Sequence, residues 1–192
     1  MGKTEAGITM EHKGTKRLET PRLILRAFTP EDGPAMYRNW ASDPEVTRFL
    51  TWKKHTSPAE STEIAARWAK DAADPACYQW ALVLKELGEP IGSLGVVRRC
   101  DETAAAEMGY CIGRPWWGRG LTAEALRAAV EYLIREVGMN RVAACHDVEN
   151  PNSGKVMQKA GMTKEGVLRS YMRSNHGLGD IAVWSVLARE LK

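Results

Sequence analysis

Short segments in which apolar and polar residues alternate predict most of the β-strands of this chain. Residues 78–85 alternate in this way, residues 86–90 have the composition of a hairpin turn, and residues 91–97 form the partner segment. The remaining predicted strands are one that ends at Ile112 and those at residues 23–27, 140–146, 162–173 and 180–188. Alternation over such lengths is typical of strands that place one face on a core.

Apolar residues spaced three and four positions apart predict a long amphipathic helix that starts at Thr122 and is closed by Gly138. Its buried face comprises Leu126, Ala129, Val130, Leu133, Ile134 and Val137. Capping residues predict three more helices. They run from Thr29-Pro30 to Asp43-Pro44, from the capping box Ser57 to Glu60 to a point before Asp74, and over residues 153–160, closed by Gly161. This order of elements predicts one mixed α/β domain.

The segment between the strand ending at Ile112 and the long helix is rich in glycine. In Gly118-Arg119-Gly120, two of three residues lack a Cβ, so that a ligand can approach the backbone closely. The first N–H groups of a helix lack partners within it, and the peptide dipoles add partial positive charge there. Arg114 and Arg119 add full charges. These features predict a phosphate-bearing ligand at residues 117–122, with an ordinary strand-to-helix connection as the alternative.

The glycine spacing also fits a second kind of phosphate site. Gly118-x-Gly120-x-x-Ala123 matches the dinucleotide fingerprint formally, which would indicate a nicotinamide-dependent oxidoreductase. However, residues 113–117 separate the strand from the glycines, and the repeated strand–helix–strand array of such proteins is absent. The lysine-containing G-x-x-x-x-G-K-[ST] motif is absent as well.

The same stretch resembles the acyl-CoA pyrophosphate loop of the GNAT superfamily of N-acetyltransferases, Q/R-x-x-G-x-G/A. The first position of that motif, three residues before Gly118, is occupied by Pro115 instead of Gln or Arg. The segment that ends at Ala125, Pro-Trp-Trp-Gly-Arg-Gly-Leu-Thr-Ala-Glu-Ala, is similar to the corresponding segment of one branch of the superfamily, the Rim-type branch. This branch comprises the ribosomal-protein alanine N-acetyltransferases and their relatives that act on small substrates.

A second motif supports the resemblance independently. Asn150-Pro-Asn-Ser153-Gly-Lys-Val-Met-Gln-Lys-Ala-Gly-Met162 is similar to the segment N-x-x-S-x-x-v-x-e-K-x-G-F/M of the same branch, with Gln158 in place of the usual acid. Two motifs in the expected order are more specific than either alone, and the resemblance extends over residues 20–190.

The resemblance implies a fold and a set of site residues. The fold would be a single GNAT-like domain, with a central mixed but mostly antiparallel sheet of about seven strands flanked by about four helices. The donor would be acetyl-CoA. The residues expected to bind it are Cys111, Ile112, Arg114, Trp117, Gly118, Arg119, Gly120, Leu121, Thr122, Asn150 and Ser153. Within that set, backbone N–H groups near Cys111 and Ile112 would polarise the thioester carbonyl.

Two side chains are predicted to be catalytic. Glu107 would take the proton of the acceptor amine, directly or through water, and Ser153 would stabilise the departing thiolate. Each prediction has a plainer alternative. Glu107 could be a strand-edge carboxylate in solvent or an ion pair, Ser153 a surface serine, and Asn150 only a helix cap. Trp52, His55, Tyr110 and Tyr171 are candidate lining residues, for which aromatic packing is the stronger interpretation.

Composition narrows the range of partners. The chain of 192 residues carries 27 basic and 24 acidic residues, and a net charge of +3 does not predict nucleic-acid binding. No apolar run reaches the ~20 residues that span a membrane, and residues 1–17 lack a signal-peptide segment. The four cysteines have no metal-binding spacing, which favours reduced thiols in a cytoplasmic protein. We expect residues 1–17 to be a mobile tail and residues 18–192 to be the domain.

These observations lead to one functional hypothesis and two alternatives. The chain is expected to transfer an acetyl group from acetyl-CoA to a primary amine in a ternary complex, because no cysteine or serine is placed for a covalent acyl-enzyme. The acceptor could be a protein N-terminus or a small amine, and homodimers are common in such families. The alternatives are a non-catalytic acyl-CoA-binding module and, with less support, the nicotinamide oxidoreductase.

Overall fold

A computed structural model describes residues 10–191, and the alternating segments form one sheet within it. The strands are β1 (Leu18–Glu19), β2 (Leu23–Arg26), β3 (Gln79–Leu84), β4 (Glu89–Cys100), β5 (Ala105–Ile112), β6 (Arg141–Asp147), β7 (Thr163–Ser174) and β8 (Gly177–Leu187). Their spatial order is β1-β2-β3-β4-β5-β6-β8-β7. Every neighbouring pair is antiparallel except β5 and β6, which are parallel. The sheet therefore confirms the mixed, mostly antiparallel prediction, with the two-residue β1 as an additional strand.

The α-helices of the described residues are α1 (Gly33–Met36), α2 (Pro44–Thr47), α3 (Pro58–Asp71), α4 (Leu121–Arg135) and α5 (Pro151–Lys159). The capping box of α3 is half as predicted: Ser57 accepts from the N–H of Glu60, but the Glu60 carboxylate accepts from Thr56. Gly138 and Gly161 follow α4 and α5 with positive φ values of 86° and 91°, as left-handed caps require.

The helix predicted between Thr29 and Asp43 is more complex than expected. It begins as a 3₁₀ turn at Pro30–Asp32, continues as α1 and ends as a π-helix at Tyr37–Ala41. Asp43-Pro44 was expected only to stop it, and that was incomplete. The Asp43 carboxylate accepts from the N–H of Glu45 at 2.9 Å and so caps α2.

Two hydrophobic clusters lie on opposite faces of the sheet. One contains the buried side of α4, including Leu126 and Leu133, together with Met108 of β5. The other contains Trp40, Ala65 of α3 and Cys111 of β5. Because successive side chains of a strand point to opposite faces, β5 contributes to both clusters. We call these sides of the sheet the α4 face and the α3 face.

The parallel pair β5 and β6 separates halfway along its length. Cα partners run from Ala105 with Arg141 to Met108 with Ala144, and no pairing continues beyond them within the described residues. Residues 109–112 and 145–147 therefore diverge around a gap, which we call the β5–β6 opening. The N-termini of α4 and α5 follow the ends of these two strands.

Residues 10–17, at the start of the described chain, contact the domain. The N–H of Glu11 donates to Val137, that of Gly14 donates to Pro75, and the Thr15 hydroxyl donates to Cys77. Residues 1–9 of the predicted tail lie outside the described residues, and the boundary at residue 18 stays a prediction. None of the helices among residues 10–191 combines the length and hydrophobicity needed to cross a membrane.

Candidate active site

The glycine-rich loop before α4 presents a row of backbone N–H groups. Gly118 and Gly120 have φ values of +74° and +76°, which L-residues with a Cβ adopt at a cost. The first intrahelical bond runs from the N–H of Glu124 to the carbonyl of Gly120 at 3.1 Å. Among residues 10–191, no acceptor takes the N–H groups of Gly118 to Ala123. A Cβ placed on Gly118 would have no atom within 4 Å, so the loop borders open space.

An arginine from the bend just before β2 holds this loop, and sequence reasoning missed it. Arg22 donates from Nη1 to the carbonyl of Arg119 at 2.9 Å and from Nε to Glu124 Oε2 at 2.7 Å. Glu124 also accepts from the Arg22 N–H and from the Thr20 hydroxyl. With the carbonyl of Arg119 engaged in this way, the peptide that joins Arg119 to Gly120 has a defined orientation.

The two arginines predicted to serve the phosphate site are engaged elsewhere. Arg114 Nε lies 3.0 Å from Asp43 Oδ2, beside a cavity of about 380 Å³ that Trp116 also lines. Arg119 Nη2 lies 3.8 Å from Glu86 Oε2. Both arginine side chains are largely exposed, and their assignment to the cofactor stays a prediction.

The predicted residues that border the β5–β6 opening are mostly packed. Cys111 is buried on the α3 face, with its sulfur 3.3 Å from the Ser93 hydroxyl, and burial raises the pKa of its thiol. The carbonyl of Ile112 accepts from Trp117 Nε1 at 2.8 Å, while much of the Trp117 ring is exposed. Leu121 and Thr122 are buried at the start of α4.

Ser153 lies in the first turn of α5, capped by Asn150 Oδ1, which is 3.4 Å from the Ser153 nitrogen. The Ser153 hydroxyl lies 2.8 Å from the hydroxyl of Tyr110, which also donates to the Ser153 carbonyl at 3.1 Å. Burial raises the pKa of Tyr110 well above its ordinary value, so its hydroxyl stays protonated. Tyr110 was expected only as a lining residue. The structure makes it the hydrogen-bond partner of Ser153 on the α4 face.

Glu107 lies on the opposite face. Three residues before Tyr110 on β5, it shares the α3 face with Cys111. The Cys145 thiol donates to Glu107 Oε1 at 3.4 Å, and Arg98 Nη1 lies 3.7 Å from Oε2. Burial, followed by the Glu107 charge, raises the pKa of Cys145 to about 12. Glu107 thus lies on the α3 face of β5, whereas Ser153, on α5, contacts Tyr110 on the α4 face of the same strand.

The β7–β8 hairpin and the segment after α2 form a wall on the α3 face. Asn175 donates from Nδ2 to the carbonyls of Thr47, at 2.9 Å, and of Trp52, at 2.7 Å. His176 Nε2 lies 2.6 Å from Glu149 Oε2, just before α5. Sequence reasoning gave neither residue a role, because no local pattern marks these contacts.

Of the other aromatic candidates, two fit the packing interpretation and one does not. His55 is buried, its Nδ1 lies 2.7 Å from the Ser61 hydroxyl, and burial lowers its pKa. The Trp52 ring packs against it with a centroid distance of 5.4 Å. Tyr171, in contrast, is exposed, and its hydroxyl lies 3.4 Å from Arg98 Nη1.

Comparisons of the sequence with known proteins identify the family. Residues 22–163 match the family model described as an acetyltransferase (GNAT) domain. An uncharacterized N-acetyltransferase of Bacillus licheniformis, p20, is 31% identical over 173 residues, which cover 90% of this chain and 97% of the relative.

One relative supports the resemblance to the Rim-type branch, and one solved structure supports the fold. The [ribosomal protein uS5]-alanine N-acetyltransferase of Escherichia coli is 38% identical over 68 residues, 35% of each chain, which agrees with the predicted resemblance to that branch. The microcin C7 self-immunity acetyltransferase MccE, solved with acetyl-CoA and AMP, is similar in fold, with a TM-score of 0.77 at 17% identity. The match covers 88% of this chain and 93% of MccE.

Proposed function

Because this chain belongs to the GNAT acetyltransferase family, we propose that it transfers the acetyl group of acetyl-CoA directly to a primary amine. Acetyl-CoA is the donor substrate of enzymes of this family, and the family assignment removes the support for a nicotinamide oxidoreductase. The acceptor is a protein N-terminal amine or a small-molecule amine. A cytoplasmic location and a homodimer stay predictions.

The proposal rests on the row of N–H groups from Gly118 to Ala123 at the N-terminus of α4, which donate to no acceptor within residues 10–191. Such a row, with the helix dipole behind it, suits the pyrophosphate of acetyl-CoA. Residues 109–112 pair with β4 on one edge, and on the edge that faces β6 they pair with no strand among residues 10–191, so the β5–β6 opening offers this edge of β5 to the rest of the donor. Asn150 and Ser153 stand at the far side of this opening, at the start of α5.

The transfer forms a carbon–nitrogen bond to the amine and breaks the carbon–sulfur bond of the thioester. The acceptor ammonium loses two protons on its way to the amide, and the leaving thiolate gains one, so that one proton is released overall. Glu107 accepts the first proton, directly or through water, which frees the lone pair that attacks the carbonyl carbon. The Ser153–Tyr110 hydroxyl pair donates a hydrogen bond to the sulfur as negative charge develops there.

Direct transfer is favoured over a covalent acyl-enzyme by the state of the two thiols nearest the site. Only a thiolate is a good nucleophile, and burial raises the pKa of both Cys111 and Cys145, the latter to about 12. At neutral pH both thiols are protonated. No acyl-cysteine is therefore expected.

The test begins with ligand binding and turnover on the full chain. Acetyl-CoA and CoA should raise the melting temperature, and NAD should not, because only a ligand of the native state stabilises it. CoA release should then be measured with a panel of amines. Stabilisation by acetyl-CoA without release from any amine would support the non-catalytic binding module instead.

The role of Glu107 is tested by Glu107→Gln. We expect kcat/KM to fall by roughly 10²- to 10⁴-fold and the pH–rate profile to change, since the base is removed. Glu63→Gln, an exposed glutamate of α3, is the matched control. A pH–rate profile of Glu107→Gln identical to that of the wild type would rule out the base assignment.

A further inference from the structure

Arg98 is the cation beside the proposed base, and its position follows from the β4–β5 register. It is the Cα partner of Glu107, directly after a bulge between Val96 and Arg98. Cross-strand partners share a face of the sheet, so Arg98 lies on the α3 face, from which Glu107 is reached. Its side chain is 59% exposed, while that of Glu107 is 25% exposed.

The contacts of Arg98 are long, and most of its donors have no partner within residues 10–191. Its Nη1 lies 3.7 Å from Glu107 Oε2 and 3.4 Å from the Tyr171 hydroxyl, whereas a charge-assisted hydrogen bond is usually shorter than 3 Å. Its Nε and Nη2 groups contact no acceptor within residues 10–191. By comparison, Arg26 binds both carboxylate oxygens of Asp32 at 2.7 Å. The Nε and Nη2 groups of Arg98 therefore remain to bind another anion bidentately.

Tyr171 reaches Arg98 because β7 carries a large bulge. Leu168 pairs with Ile181 and Met172 with Gly179, so that residues 169–171 stand opposite the single residue Asp180. Within the bulge, Ser170 has a φ of +48°, and its N–H donates to Asp180 Oδ1 at 2.8 Å. Strained backbone at a residue other than glycine is concentrated at functional sites. Here the bulge places Tyr171 near Arg98, although β5, β6 and β8 separate their strands in the sheet.

We propose that Arg98 binds a carboxylate of the acceptor, and that the acceptor is a free amino acid whose reacting amine stands next to that carboxylate. The inference rests on the proposed function, because it uses Glu107 as the base. In the zwitterion of an α-amino acid the ammonium and the carboxylate are bonded to the same carbon, and Glu107 and Arg98 present the complementary charges 3.7 Å apart. Tyr171 adds a hydroxyl to the same anion site.

The same charges disfavour the other acceptors. The group next to a peptide N-terminal amine is a neutral carbonyl, which gains less from a guanidinium than a carboxylate does. A diamine would bring a second cation toward Arg98 and be repelled. Glu107 and Arg98 together therefore favour free amino acids over peptide N-termini and over diamines.

The experiment compares acceptors that differ only in charge. With saturating acetyl-CoA, kcat/KM is measured from CoA release for a set of L-amino acids, their carboxamides, short peptides and diamines. We expect free amino acids to exceed their own carboxamides by about ten-fold or more, the effect of one charge-assisted hydrogen bond. In Arg98→Gln the ratio of acid to amide should fall to about one, and Arg98→Lys should retain part of the preference.

The neighbouring Arg99→Gln is the matched control, because Arg99 is bound to Asp101 and to the Ala76 carbonyl and lies outside the site. The Arg99→Gln variant should keep the full preference for free amino acids over their carboxamides. Carboxamides, peptides or diamines used as well as free amino acids would overturn this inference and leave the proposed function standing. So would an equal fall for every acceptor in Arg98→Gln, which would indicate only an influence on Glu107. Absence of CoA release with all amines would overturn the proposed function and this inference together.

Discussion

At the scale of single residues, the site depends on hydrogen-bonded pairs rather than on isolated groups. A serine hydroxyl is a weak acid, and the Ser153 hydroxyl differs from a surface serine in lying 2.8 Å from Tyr110. Because Tyr110 is buried and stays protonated, the pair has a proton for the hydrogen bond to the donor sulfur that we propose. The role predicted for Ser153 thus becomes a role for two hydroxyls.

We expect Ser153→Ala to lower kcat more than it raises the KM for acetyl-CoA. The interaction develops with the charge on the sulfur, so its loss affects the transition state more than the bound substrate. The fall in kcat should be roughly three- to ten-fold, the range for one neutral hydrogen bond. Steady-state kinetics with varied acetyl-CoA measure it. Asn152→Ala, in the same turn of α5, is the control, and an unchanged kcat in Ser153→Ala would contradict the assignment.

At the scale of elements, the start of α4 combines two requirements in one loop. Left-handed backbone at Gly118 and Gly120 turns the chain into the helix, and the absence of side chains there leaves the N–H row accessible. Arg22, from the turn into β2, and Glu124, in the first turn of α4, then hold the loop through the Arg119 carbonyl. The loop is shaped before any ligand arrives, and a shaped site loses less entropy on binding.

We expect Gly118→Ala to weaken CoA binding by roughly ten-fold and to cost roughly 1 kcal/mol of folding stability. The stability loss comes from the positive φ, and the binding loss from a methyl group in the open space beside the N–H row. Calorimetric titration with CoA and thermal melting measure the two effects. Gly88→Ala separates them, since Gly88 has a φ of +71° and open space but lies in the β3–β4 turn. Equal CoA affinity in the two variants would refute the loop as the phosphate site.

At the scale of the whole molecule, contacts between distant segments assemble the wall on the α3 face. The β7–β8 hairpin is attached by Asn175 to the carbonyls of Thr47 and Trp52 and by its N–H to that of Leu50. His176 of the same hairpin pairs with Glu149, which precedes α5. The hairpin thus links the segment after α2 to the helix that carries Ser153.

We expect Asn175→Ala to raise the KM for the acceptor amine and to leave the affinity for acetyl-CoA unchanged. Loss of two hydrogen bonds releases the segment at residues 47–52, with a cost of about 1–2 kcal/mol in folding stability. Steady-state kinetics in which the acceptor and acetyl-CoA are varied separately measure the two KM values. Asn140→Ala, in an exposed position before β6, provides the comparison. If the KM for acetyl-CoA increased as much as the KM for the acceptor, the hairpin would not act on acceptor binding alone.

Features that depend on local physics could be predicted from the amino-acid sequence. Alternation predicted the strands, three–four spacing and Gly138 predicted α4, and the glycine pair predicted an anion-binding turn, because each depends on neighbours within a few residues. It also predicted Ser153 and Glu107 through a family resemblance, although their roles stay predictions. The helix after Thr29 was less well predicted, since its 3₁₀ and π turns accommodate packing that the local pattern does not contain.

The contacts between side chains far apart in the sequence, in contrast, depend on the three-dimensional fold. Arg22 and Glu124 are 102 positions apart, and Arg98 and Tyr171 are 73 positions apart. Their contacts depend on the order of the strands, on the end of β5–β6 pairing at Met108 and on the bulge of β7. No short-range pattern encodes these, because hydrogen bonds between strands and packing across the sheet form only when the whole sheet has assembled.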